Sequence, residues 1–248
     1  MSDSIVARLE ALNERIAHAA LNAGREPRTV RLLAVSKTKP ADDVRAAYAA
    51  GQRDFGESYV QELAEKAGLL ADLDGLRWHM IGHLQRNKAK LVAKLACTIH
   101  TVDSVRLAEE LGKRAADLRR EPMVVLVEVN VGGEAQKSGC SPAELGEVLG
   151  AVERAPSLQL AGLMTVPPHT DDPVGARPFF DRLVTLRDAH GGAGRLPDIF
   201  ERYVGAADHW LPCRRQQPSC WLGPPISSTS SCSGSRTMSR PIQDPELP

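Results

Sequence analysis

No charge of one sign dominates this sequence. Lys and Arg together number 31 and Asp and Glu 31, so the formal net charge is zero and gives no argument for nucleic acid or an anionic membrane as a partner. Long apolar runs are also missing, for no stretch approaches the roughly 20 residues that a spanning helix needs. The N-terminal MSDSIVARLEALNERIAHAALNAG mixes charges into the place where a signal peptide carries a continuous apolar segment. A cytoplasmic location is the expectation. The five cysteines, Cys97, Cys140, Cys213, Cys220 and Cys232, form no CxxC pair, and an odd count without a secretion signal argues against a disulfide framework. No GxGxxG follows the first strand-like run, so a dinucleotide-binding sheet lacks its usual support. Nothing gives ground for a metal. His79 and His83 stand four apart, but Gly82 lies between them and His79 falls in an apolar strand-like run, which is not the helical pair a zinc site needs.

What is present is a rhythm. Ile5, Leu9, Leu12 and Ile16 recur at helical spacing behind an N-cap among Ser2 to Ser4, with Gly24 as the stop. Strand-like runs then alternate with amphipathic stretches: residues 30–37 before PADDVRAAYAAG, residues 53–57 before YVQELAEKAGLLADL, and RWHMIG before QRNKAKLVAKLA. CTIHTVD precedes SVRLAEELGKRAADLRR, MVVLVEVN precedes SPAELGEVLGAVERAP, and LQLAGLMTV precedes ARPFFDRLVTLRDAHGG. Six β-then-α units predict an α/β fold with a parallel sheet and right-handed crossovers, and their order favours a TIM-type (β/α)8 barrel over a doubly wound sheet. From about Leu196 the pattern fails, as proline, serine, arginine and cysteine crowd out any period and only IFERYVGA keeps a weak strand character. The expectation is a barrel domain over residues 1–196 and a poorly ordered tail over 197–248 where the last barrel units should lie.

A barrel of this kind builds its functional face from the C-terminal ends of its strands. Those ends carry Lys37, the FGES of Phe55 to Ser58, the HMIGH of His79 to His83, Asp103, Asn130, and Met164 with Thr165. Only Lys37 is a nucleophile that gains from burial. Lysines at strand ends ordinarily snorkel to water. One held near a low-dielectric interior loses affinity for its proton and can form a Schiff base with a carbonyl compound. Glu57 reads as a general acid or base, or as the charge partner of a helix starting near Tyr59. His79 reads as a core or supporting histidine. Lys88, Lys90 and Lys94 fall on a solvated helix face, with RNA binding as the second reading, and Asn130, Glu134 and Lys137 belong to a glycine-rich turn with room for an anion nest.

Six stretches taken together, AVSKTKP, DFGESYVQE, WHMIGHLQRNK, VDSVRLAEEL, VEVNVGGEAQKSG and GLMTVPP, resemble the pyridoxal phosphate homeostasis proteins. These are single-domain barrels similar to the N-terminal domain of alanine racemase, and the resemblance runs in order from about residue 5 to residue 190. It implies a protein that holds pyridoxal 5′-phosphate (PLP) as a Schiff base on the AVSKTKP lysine, here Lys37, without a catalytic reaction. The implied cofactor-binding set is Lys37, Ser58, His79 and Met164. The implied partners are PLP and PLP-dependent apo-enzymes, with no nucleic acid or membrane, and the expected state is a monomer.

Two departures from the family stand out. Ser58 replaces the asparagine of FGEN and reaches less far, although it keeps one hydrogen bond. The serine-rich SMGMS segment of strand seven and the VRxG segment of strand eight, which serve the phosphate end of the cofactor, are absent. RRQQPSCWLGPP stands in their place, as an out-of-frame translation would leave it. Racemases add a second domain with a catalytic tyrosine. The tyrosines here are Tyr48, Tyr59 and Tyr203, and no region remains for that domain. Two other readings stay open: a racemase- or lyase-like enzyme of low activity using Lys37, and a defective barrel with unpaired edges that no longer binds PLP.

Overall fold

The Ser4 hydroxyl accepts a hydrogen bond from the Ala7 backbone N–H at 3.2 Å and so starts α1 (Ile5–Asn22), which gives way at Gly24 with φ 68°. The computed structural model describes residues 4–118, 121–134, 136–168, 173–196 and, as backbone, 198–201. After α1 the strands β1 (Ala34–Val35), β2 (Asp54–Glu57), β3 (Arg77–Met80), β4 (Thr98–Val102), β5 (Met123–Glu128), β6 (Leu158–Thr165) and β7 (Asp198–Glu201) lie side by side in chain order. Every neighbouring pair is parallel. The connections carry α2 (Ala41–Ala49), α3 (Val60–Leu69), α4 (Ala89–Leu95), α5 (Val105–Leu118), α6 (Leu145–Glu153), α7 (Arg177–Ala189) and the short α8 (Gly192–Arg195).

Strand alternation sorts the side chains into two layers. On β3, Trp78 and Met80 join the large core under the helices with Val44, Leu63 and Ile99, while Arg77 and His79 take the opposite face. A smaller cluster of Leu126, Ala161 and Met164, packed by Leu33, Val124 and Val166, fills the inner face of the wall. Burying Leu63 or Met80 completely is worth about 1.5–3 kcal/mol each, so the helix-side layer carries most of the cohesion.

Two elements differ from the sequence expectation. The first strand spans Ala34–Val35 rather than residues 30–37: among the described residues it pairs with β2 alone, and the Gln52 amide bonds the Leu32 carbonyl at 2.9 Å where a backbone donor would otherwise serve. Beyond Leu196, where the period fails, Asp198–Glu201 still adds a seventh strand to β6 through Gly162↔Asp198 to Thr165↔Glu201. Among the described residues β1 and β7 are the edges of the sheet. The chain expected to supply an eighth strand lies outside them.

Candidate functional site

The register of the first three strands sets the level of each rim residue. Val35 pairs with Gly56 and Glu57 with Met80, and the chain runs on through Ser36 N–H to Gly56 O at 3.0 Å and Ile81 N–H to Glu57 O at 2.9 Å. Lys37, Ser58 and Ile81 therefore share the rim. Ser36 faces the helices, since its hydroxyl donates to Glu57 at 2.7 Å, and Glu57 lies on the same face as the core residue Phe55. Lys37 itself is half-buried and lies in the turn two residues past the end of β1; carried on from Leu33 of the inner cluster, the strand's alternation would direct it inward. Gly82 closes the rim between β2 and β3, where a Cβ would stand 2.1 Å from the Ser58 carbonyl oxygen.

Behind Lys37 sits a group that sequence reasoning missed. The ammonium of Lys66, on α3, donates to the Ser36 carbonyl at 2.6 Å, to Glu57 Oε1 at 2.8 Å and to Glu62 Oε1 at 2.7 Å. Glu62 in turn accepts the Thr38 backbone N–H. Thr38 has φ 62°, the one positive φ outside glycine among the described residues, and such a conformation costs on the order of 1–3 kcal/mol. Burial pushes the Glu57 carboxyl above its ordinary pKa, against the hydrogen bonds from Lys66 and Ser36. Glu57 is fully buried and is no exposed partner of a helix terminus. The available signal was the pattern VQELAEKAGLL, in which Lys66 falls three residues after Leu63 on the apolar side of the helix.

Two to four residues below the rim, about 7 to 13 Å down the strands, lies a polar floor. Asp54 accepts two bonds from the Arg77 guanidinium, at 2.7 and 2.6 Å, and its Oδ1 lies 2.9 Å from His79 Nε2. His79 Nδ1 is 2.9 Å from His100 Nε2, and Cys97 Sγ is 3.7 Å from His79 Nε2. Burial works against every charge here, yet the Arg77 and His79 hydrogen bonds hold the Asp54 carboxyl well below the usual carboxylate range. Burial likewise opposes charge on His79, but its electrostatic pairing with the Cys97 sulfur and the bond to Asp54 raise its pKa to about 9. The His79 charge in turn lowers the Cys97 thiol against its burial. Among the described residues no group of His, Cys, Asp and Glu is arranged to hold a metal ion.

The four sequence-predicted residues thus occupy two levels. Lys37 and Ser58 stand on the rim; His79 belongs to the floor, bound to Asp54 and His100. Met164 is fully buried in the inner cluster. His83 pairs with Asp103 at 3.1 Å. The glycine-rich turn closes on itself, because the Asn130 amide donates to the Glu134 carbonyl and Lys137 bonds both Glu134 and the Pro167 carbonyl.

A family model for the alanine racemase N-terminal domain matches residues 7–200. The pyridoxal phosphate homeostasis protein of Pseudomonas aeruginosa is 45% identical over 203 residues, covering 79% of this chain and 87% of that one. The chain belongs to the pyridoxal phosphate homeostasis protein family. Solved structures agree with that placement. PipY of Synechococcus elongatus with PLP bound superposes with a TM-score of 0.60 at 34% identity, over 75% of this chain and 86% of that one. An unknown protein from Bifidobacterium adolescentis gives a TM-score of 0.72 at 36% identity, over 79% and 84%. The family thus shares the alanine racemase N-terminal fold, and the six quoted motifs fall within the matched span.

Proposed function

We propose that this chain binds PLP through the Lys37 amine and takes up and releases it rather than turning over a substrate. The observation that carries the reading is that both chain neighbours of Lys37, in the turn just after β1, are bonded to groups on the helix side of the sheet, which supports an amine directed to the inner side of the rim. The residues present suit the cofactor: a rim amine, the Ser58 hydroxyl at the same level, an apolar inner wall including Met164, and a polar floor with His79. PLP, when bound, supplies an aldehyde that condenses reversibly with an amine and releases one water. Lys37 offers that amine and Ser58 one hydrogen bond, Met164 backs the inner wall from a fully buried position, and His79 supports the floor from a fixed orientation set by Asp54 and His100.

A non-catalytic role is supported by the family's name. Tyr48 donates its hydroxyl to the Asp74 carbonyl at 2.6 Å and Tyr59 is 59% exposed, so neither is built into the inner wall; Tyr203 lies outside the described residues. The binding unit is the barrel of residues 1–196 extended into β7, working as a cytoplasmic monomer with PLP-dependent apo-enzymes as recipients. Among the described residues no helix is long and apolar enough to cross a membrane.

A visible spectrum of the purified protein with added PLP tests the reading. The expected result is a Schiff-base band that borohydride removes, a trapped adduct on the Lys37 peptide, and no band in Lys37→Ala. A folded wild-type protein with no adduct on Lys37 refutes it, and turnover of an amino acid that Lys37→Ala abolishes moves the assignment to an enzyme.

A further inference from the structure

Lys37 is flanked by two residues that are tied to the helix side of the barrel wall, in a turn that the Lys39 N–H closes on the Ser36 carbonyl at 3.0 Å. Ser36 gives its hydroxyl to Glu57 and its carbonyl to Lys66, Thr38 gives its N–H to Glu62, and Lys66 joins the two carboxylates. We propose that Lys66, acting with Glu57 and Glu62 from the helix side of the sheet, is a positioning residue that aims Lys37 at the carbonyl carbon of its ligand. The inference rests on Lys37 as the PLP anchor.

Three features separate this arrangement from a staple between helix and sheet. An ammonium has three protons, and all three of Lys66 are used in fixed directions. Joining α3 to β2 needs only the Glu57 bond, whereas the other bonds run to the Ser36 carbonyl and, through Glu62, to the Thr38 N–H, both in the turn that carries Lys37. Thr38, finally, is held in a left-handed conformation that a β-branched residue keeps only when its surroundings impose it. A small rotation at either neighbour would swing a four-carbon side chain away from its target, so orientation at this turn converts directly into reactivity.

The test uses the full chain and three variants. Lys66→Met/Glu57→Gln removes the ammonium without leaving Glu57 as a buried uncompensated charge. Lys66→Met alone is the severe form. Leu63→Ala loosens the same helix from the outer core without touching the clamp. Affinities for PLP and for pyridoxal are read from the Schiff-base absorbance, folding from thermal melts, and the adduct position from borohydride trapping and peptide mass spectrometry. The double variant is expected to melt cooperatively, to keep its adduct on Lys37, and to lose about 10- to 100-fold in affinity for both ligands by the same factor. The same factor is the mark of the amine, which the two ligands share, as opposed to a general loosening of the rim. Leu63→Ala is expected to keep wild-type affinity despite its lower melting temperature. Wild-type affinity in a folded Lys66→Met/Glu57→Gln protein overturns the inference while leaving the anchor in place, and so does an equal loss in Leu63→Ala. A wild-type protein with no adduct on Lys37 overturns both.

Discussion

At the scale of single residues, Thr38 and Cys97 show how local conformation and charge are set by their neighbours. With φ 62°, Thr38 is strained wherever it stands alone. Glycine there would shed strain of about 1–2 kcal/mol and give back about 0.5–1 kcal/mol in chain entropy, so Thr38→Gly is expected to be neutral to mildly stabilising in denaturant melts. Its PLP affinity is expected to fall all the same, since glycine leaves the turn free to depart from the held conformation. Gain in both properties would count against a held turn. Cys97 and Cys140 form a contrasting pair: the charge of His79 favours the Cys97 thiolate, whereas burial pushes the Cys140 thiol up to about 12. Iodoacetamide at neutral pH is expected to label the Cys97 peptide ahead of the Cys140 peptide, and His79→Gln to slow that labelling. Labelling of Cys140 first would reverse the assignment. Lys37 stood out at this scale as an ammonium interrupting a buried-strand pattern, which by itself reads as ordinary snorkelling; it was the AVSKTKP motif that singled it out. Lys66 did not stand out, since a lysine in an amphipathic helix is ordinarily solvated.

Among the elements, α3 does more than cover the sheet. Val60, Leu63 and Leu70 seat it on the core, and its Lys66 reaches down beside them to the carboxylate of β2. Removing the cation alone leaves the buried Glu57 carboxyl without its partner, to stay charged or to take up a proton at a cost, so Lys66→Met by itself is expected to destabilise the fold by about 3–5 kcal/mol, measured by urea denaturation. A loss under about 1 kcal/mol would mean that Glu57 is neutral in the folded protein. The helices were legible because their apolar positions recur at helical spacing and their caps are local, as Ser4 and Gly24 illustrate. Strand limits were less so. The extent of β1 follows its pairing with β2, and β7 exists because β6 offers it a parallel edge; both facts concern a neighbour distant in sequence.

For the whole molecule, the polar floor ties stability to pH. The folded pKa of His79, about 9, lies above the ordinary value of 6.5, so its contribution is complete below pH 6.5 and is lost as pH rises through about 9. It is of order 3 kcal/mol. The depressed Asp54 works at the other end: its contribution is present above the ordinary carboxylate value and is lost as pH falls through its lowered folded pKa. Unfolding free energies across pH 6 to 10 are expected to fall on the alkaline limb, and His79→Gln to flatten that limb. An unchanged alkaline limb in the variant would remove His79 from the account.

The sequence by itself determined the repeating β-then-α order, the parallel barrel class and the rim lysine, because periodicity, caps and motif spacing are properties of contiguous residues. Only the tertiary structure decided which charges meet. Lys66 finds Glu57 and the turn around Lys37, and Asp54 finds Arg77 and His79, across the strand register rather than along the chain. Burial, which turns such meetings into energies, exists only once the layers have closed on each other.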